Sequence, residues 1–96
     1  MKKEYIMERE FTCENHVILL RITKPIEIKI EDWSCWVELT GELGSGVVLN
    51  EKQEVFGIDS YQVVQLAMPF AKAFVGLIQR EYNKKFNFLD GPELNL

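Results

Sequence analysis

"VFGIDSYQVVQLAM", residues 55–68, is where the chain changes period, and reading it decides the fold. Up to Gly57 the apolar residues recur every second position. From Val63 onward they recur every third and fourth. Asp59 stands at the joint as an N-cap, its carboxylate placed to accept from the otherwise unpaired amide of Gln62. Gln62 reaches back toward the Asp59 amide, which makes a capping box, and Ile58 and Val63 occupy the two positions of a hydrophobic staple. Loss of the Asp59 cap is expected to cost about 1 kcal/mol.

C-terminal to the cap, residues 59–83 read as one helix, the alternative being two shorter helices divided near Met68. Gln62, Gln65, Lys72, Gln79 and Asn83 form a narrow polar stripe, with Pro69 and Gly76 on the same line. Its apolar arc holds Val63, Val64, Leu66, Ala67, Phe70, Ala71, Phe74, Val75, Leu77 and Ile78. That arc is wider than one sheet normally covers. Lys84 and Lys85 suit the negative end of the helix dipole. Residues 86–96 form a tail in which Phe86, Phe88 and Leu89 precede a Gly-Pro break.

N-terminal to the cap, residues 1–57 read mainly as strands. In "YIMEREFTC" Tyr5, Met7, Phe11 and Cys13 share one side, with Arg9 intruding. "CENH" supplies a turn. In "VILLRITKPIEIKI" Ile18, Leu20, Ile22, Ile26, Ile28 and Ile30 fall in one phase. Pro25 has the opposite parity, so the phase is expected to survive it, with an edge position or a bulge there. Glu31-Asp32 is the next turn candidate. "WSCWVELT" sets Trp33, Cys35, Val37 and Leu39 against Ser34, Trp36, Glu38 and Thr40. "GELGSG" reads as a flexible loop, and "VVLN" and "EVFG" as a last hairpin around "EKQ". The whole is α+β: a single domain, residues 1–96, with an antiparallel sheet of about four to five strands and one long C-terminal helix on one face.

The chain of 96 residues is 47% hydrophobic and 27% charged, ordinary for a folded domain. Its net charge of −4 disfavours nucleic acid. Ser60 to Arg80 contains no Asp or Glu, so an acidic sheet half adjoins a nearly uncharged helix. The N-terminus is too charged for a signal peptide, and Pro69, Lys72 and Gly76 interrupt the longest apolar run, so no membrane span and a cytoplasmic location are expected. Cys13 and Cys35 are then reduced thiols.

Gly-Ile-Asp-Ser resembles the serine-bearing motif of acyl carrier proteins, in which Ser60 would carry phosphopantetheine. Carriers are helical bundles with an acidic helix after the serine and usually leucine beside it. Here strands precede Ser60, Tyr61 follows it, and the helix is acid-free. The helix-start reading is preferred. Cys13-x-x-His16, with Cys35, hints at a metal or nucleophile site, but one histidine and two cysteines fall short of a zinc ligand set. Metal, cofactor and catalytic residues are therefore expected to be absent. "GELGSG" lacks the Lys-Ser/Thr ending of a phosphate loop.

"WSCWVELTG" followed by "VFGIDSYQVVQLAM" resembles a small bacterial single-domain family in which a W-x-C strand precedes a G-[VI]-D-S-x-Q-A-L-x-L-A helix start. Trp33, Cys35, Gly41, Gly57, Asp59, Ser60, Gln62, Leu66 and Ala67 fit, and Val63-Val64 departs from the pattern. The resemblance covers about a third of the chain and implies a fold without an activity. The function expected from the residues is a non-enzymatic protein-binding module, in its specific form an immunity or antitoxin-like protein that covers a basic toxin domain, or one that self-associates. Candidate interface residues are Trp36, Glu8, Glu10 and Glu38, because aromatic side chains and complementary charge favour recognition. The alternative is an enzyme or small-molecule binder with a pocket near Cys13, His16 and Cys35.

Overall fold

The computed structural model describes residues 4–44 and 46–88. The chain runs as β1 (Tyr5–Cys13), β2 (His16–Thr23), β3 (Ile26–Lys29), β4 (Asp32–Gly44), β5 (Val47–Gly57), α1 (Ser60–Tyr82) and β6 (Asn87–Phe88). All strand pairings are antiparallel. β2 and β3 lie end to end along one edge of β4, β5 runs along the other, and β1 then β6 continue beyond β2. This is the expected α+β architecture, with α1 packed on one face over β4 and β5.

Two hairpins are closed by residues that tolerate positive φ. Glu14 and Asn15, at φ 50° and 70°, make the two-residue turn between β1 and β2. The turn into β4 is Ile30-Glu31, one residue earlier than the sequence suggested, with Glu31 at φ 60°.

The flexible loop and the last hairpin are not found. Gly41–Gly44 belongs to β4, and Val47–Gly57 is one unbroken strand paired with β4 from end to end. Gly41 serves close approach: at φ 146°, a Cβ there would lie 2.4 Å from the Val17 carbonyl oxygen. Glycine is used to bring β2 against β4, and the polar "EKQ" is the middle of an edge strand. Ser45 lies outside the described residues.

Register slips redistribute the apolar residues. Between Tyr5 and Met7 the pairing with β2 shifts, so Met7 stays opposite inward Ile22 while Tyr5 stands opposite Thr23 on the other face. At Lys24-Pro25 a second slip occurs. Ile22 faces Val37, but Ile26 faces Ser34. An uninterrupted register would have put Ile26 opposite Trp33. Because side chains alternate, one extra residue turns Ile26 over, and a further irregularity between Glu27 and Lys29 sets Lys29 rather than Ile28 opposite Asp32. The isoleucine phase therefore does not survive Pro25. Ile18, Leu20 and Ile22 are fully buried, whereas Ile26, Ile28 and Ile30 are 59%, 51% and 87% exposed. Trp36 N–H, near the slip, donates to Thr23 Oγ1 at 2.8 Å instead of to a backbone carbonyl.

The core lies between α1 and the inner sheet face. Phe11, Ile18, Leu20, Ile22, Cys35, Val37, Leu39 and Leu49 meet Val63, Ala67, Ala71, Val75 and Ile78. Fully burying each large aliphatic side chain contributes roughly 1.5–3 kcal/mol. Leu66 and Leu77, expected on the buried arc, are 47% and 45% exposed. Pro69 and Lys72 are exposed and do not break the helix. By length and composition alone α1 is apolar enough to cross a membrane, against the expectation from its interruptions. Here one of its faces is spent on the sheet.

Asp59 caps α1, with the Gln62 amide donating to Oδ1 at 2.7 Å. The return bond goes one residue further back: Ile58 N–H donates to Gln62 Oε1 at 2.8 Å. Ile58 is 59% exposed while Val63 is fully buried, so Val63 packs against Gly57 without burying its staple partner. Asn83, at φ 53°, ends the helix, and the Asn83 and Lys84 amides bond Arg80 O and Gln79 O in a Schellman pair. The start of the tail docks. Phe86 is buried with its ring 6.3 Å from that of Phe11, and Asn87–Phe88 pairs with β1. Residues 89–96 lie outside the described residues.

Candidate functional site

The sheet has a second face, which α1 does not touch. Alternation and register assign its side chains. Across its middle runs the row Glu8, Arg21, Glu38, Lys52, each directly opposite the next on β1, β2, β4 and β5. Signs alternate along that row, as cross-strand neighbours favour. Arg21 Nε donates to Glu8 Oε2 at 2.7 Å, and its guanidinium lies 4.9 Å from the Tyr5 ring centroid. Hydrogen bonds with Tyr5 and then Glu8 raise the Arg21 pKa from its ordinary value. Tyr5 Oη donates to Glu38 Oε1 at 3.1 Å. The slip between Tyr5 and Met7 delivers that tyrosine to this face, so Tyr5 is not the inward residue the alternation implied.

Glu38 is only 4% exposed, a buried carboxylate rather than a free surface acid. Of the four candidate interface residues, Glu8, Glu10, Trp36 and Glu38 all stand on this face. Only Trp36 and Glu10 remain free of the network, and Trp36 is 38% exposed. Glu8 is tied to Arg21, and Glu38 is sealed under Tyr5.

Towards the β3 end the face becomes apolar. Ser34 lies between Ile26 on β3 and Phe56 on β5, and Trp36 is the next residue along the same face of β4. Ser34 is buried, its hydroxyl donating to Glu54 Oε2 at 2.7 Å, while Phe56 and Ile26 are 54% and 59% exposed. Ile28, also exposed, sits at the irregularity between Glu27 and Lys29 on the β3 edge. Three large apolar side chains, Ile26, Trp36 and Phe56, thus surround a small serine that is already satisfied, with acids further along the sheet.

Ile26, Ile28 and Phe56 were not recognised from sequence. The isoleucines were assigned to the core because the slip at Pro25 reverses their side. Phe56 was read as part of a separate short hairpin strand. The available signal was Pro25 itself, a residue that cannot sit in an unbroken central ladder.

The cysteine–histidine grouping does not assemble. Cys13 pairs with His16 at the first turn, whereas Cys35 lies at the opposite end of β4. About eight residues of strand separate them, roughly 26 Å at 3.3 Å per residue. His16 Nδ1 is 3.3 Å from Glu42 Oε2, and its side chain is partly exposed whereas Cys13 is buried. Burial raises both thiols, Cys35 to about 11. Among the described residues, no group of three or more His, Cys, Asp or Glu side chains could hold a metal ion.

Ser60 is the first, exposed residue of a helix laid on a sheet, unlike the bundle of a carrier. The residues that carried the family resemblance are mostly the joint between sheet and helix. Gly41 and Gly57 permit close approach, Cys35 and Ala67 are buried, and Asp59 with Gln62 forms the cap. Compared with protein-family models, curated proteins and solved structures, the chain has no match.

Proposed function

We propose that this chain is a non-enzymatic protein-binding domain that engages its partner through the open sheet face around Trp36. The observation that carries the reading is the cluster of Ile26, Trp36 and Phe56, exposed together on a face left bare by the helix. Exposed aromatic and aliphatic side chains grouped in this way are the usual centre of a contact surface.

Charge narrows the partner. Among the described residues the face carries Glu8, Glu10, Asp32, Glu38, Glu42 and Glu54 against Arg21, Lys29 and Lys52, six acids to three bases. A basic protein surface with apolar anchors complements that pattern, and a cytoplasmic immunity or antitoxin-like role against a basic toxin domain is its specific form. Because Glu8 and Glu38 are engaged within the face, charge steers the encounter and the apolar patch holds the complex.

Tagged wild-type chain and a Trp36→Ser/Phe56→Ser variant, used as baits in extract of the source cells, test this. The expected result is a specific protein captured by the wild type and by a Lys72→Ala control, and lost with the open-face variant. Identical capture by all three baits would contradict the assignment.

A further inference from the structure

A second surface lies on the helix, and its pattern is self-complementary. Leu66, Phe70, Ala73 and Leu77 recur at spacings of four, three and four, a heptad seam along one flank of α1. Leu66, Ala73 and Leu77 are exposed, and Phe70 is half-buried, stacked on Phe74 with ring centroids 5.6 Å apart. Phe70 packs partly against the core, while Leu66, Ala73 and Leu77 are turned off the sheet beneath α1.

The spacing reads the same in both directions about a point between Ala71 and Lys72. A second α1 laid antiparallel sets Leu66 against Leu77 of the other copy, and bulky Phe70 against small Ala73. Each contact then occurs twice, as a two-fold interface requires. Next to the seam, a Cβ on Gly76 would meet nothing within 4 Å, which leaves room for close approach.

Charge agrees. The seam contains no carboxylate, and Lys72 lies on the far side of the helix. Exposed Asp59 begins the helix and exposed Arg80 stands in its last turn, so antiparallel packing brings each near its opposite in the other copy. The opposed helix dipoles favour the same arrangement.

We infer that the chain forms a two-fold dimer through antiparallel packing of α1, with Leu66, Phe70, Ala73 and Leu77 as the contact seam. Such a dimer leaves both Trp36 faces free on the outside and presents them as a bivalent surface.

The experiment is sedimentation equilibrium at high protein concentration on wild type, Leu77→Glu and Trp36→Ser, with helicity and melting followed by circular dichroism. The expected wild-type mass is twice the 11.2 kDa of one chain. Leu77→Glu, at an exposed position, keeps its fold and weakens association roughly tenfold or more. Trp36→Ser leaves association unchanged. Direction is read by oxidising single-cysteine variants. A mixture of Leu66→Cys and Leu77→Cys chains should cross-link, and Leu66→Cys alone should not, because its copies stand about 16 Å apart along the axis. A one-chain mass, a dimer indifferent to Leu77→Glu, or self-cross-linking of Leu66→Cys would each overturn the inference.

Discussion

The two faces of this sheet are built from the same strands, yet they are sealed by different physics. The inner face is closed by an apolar helix, and its largest side chains are fully buried. The open face is closed over only part of its area, by the row Glu8, Arg21, Glu38 and Lys52 with Tyr5 lying over it. Where that network ends, Trp36, Ile26 and Phe56 stand in solvent. Burial alone does not distinguish the two faces, since Glu38 and Ser34 on the open side are as inaccessible as many core residues. What differs is whether the covering group is apolar or hydrogen-bonded, and which side chains are left uncovered.

The largest test of that contrast uses one residue type in one apparent phase. Ile22→Ala, on the inner face, is expected to cost about 2–5 kcal/mol in urea unfolding. Ile28→Ala, six residues on but across the slip, should change stability by less than about 0.5 kcal/mol. Equal losses would mean that both isoleucines face the core.

An intermediate effect is expected within the open face. Glu38→Ala removes the acceptor of the Tyr5 hydroxyl and the anion opposite Arg21, at a cost of about 1–3 kcal/mol. The same network predicts that Tyr5→Phe is milder, since the ring still lies against Arg21. A Glu38→Ala chain as stable as wild type would show the network to be incidental.

The smallest effect is on the inner face and depends on pH. Burial raises the Cys35 thiol from 9.0 to about 11, so the folded state holds that proton after the unfolded chain has released it. The stabilising contribution is complete below about pH 9 and is lost as pH rises towards 11. Urea midpoints measured from neutral to alkaline pH should fall over that window, and Cys35→Ala should flatten the fall. An unchanged slope in the variant would exclude Cys35 as its source.

The sequence made the inner face largely readable and the open face largely not. Ile18, Leu20, Ile22, Val37 and Leu39 keep strict alternation, and Asp59 with Gln62 marks the helix start within the chain's own short-range chemistry. Each misreading came from a non-local event. The slips near Tyr5 and Pro25 depend on how one strand registers with its neighbour, which no single strand encodes. Gly41–Gly44 looked like a loop because glycine serves close approach there as well as turning. Parity set Trp33 and Trp36 on opposite faces without showing which is exposed, and the Trp36 neighbours Ile26 and Phe56 come from two other strands. Glu38 looked like a solvated surface acid because Tyr5 reaches it only through a slip.

The account rests on the register change at Lys24-Pro25, which turns an apolar strand segment outward and creates the patch around Trp36. Cross-strand nuclear Overhauser effects between backbone protons of β3 and β4 measure it directly. The register described here predicts contacts of Ile26 with Ser34 and of Glu27 with Trp33. Contacts of Ile26 with Trp33 would restore the unbroken phase, return the isoleucines to the core side and leave the open face without its apolar patch.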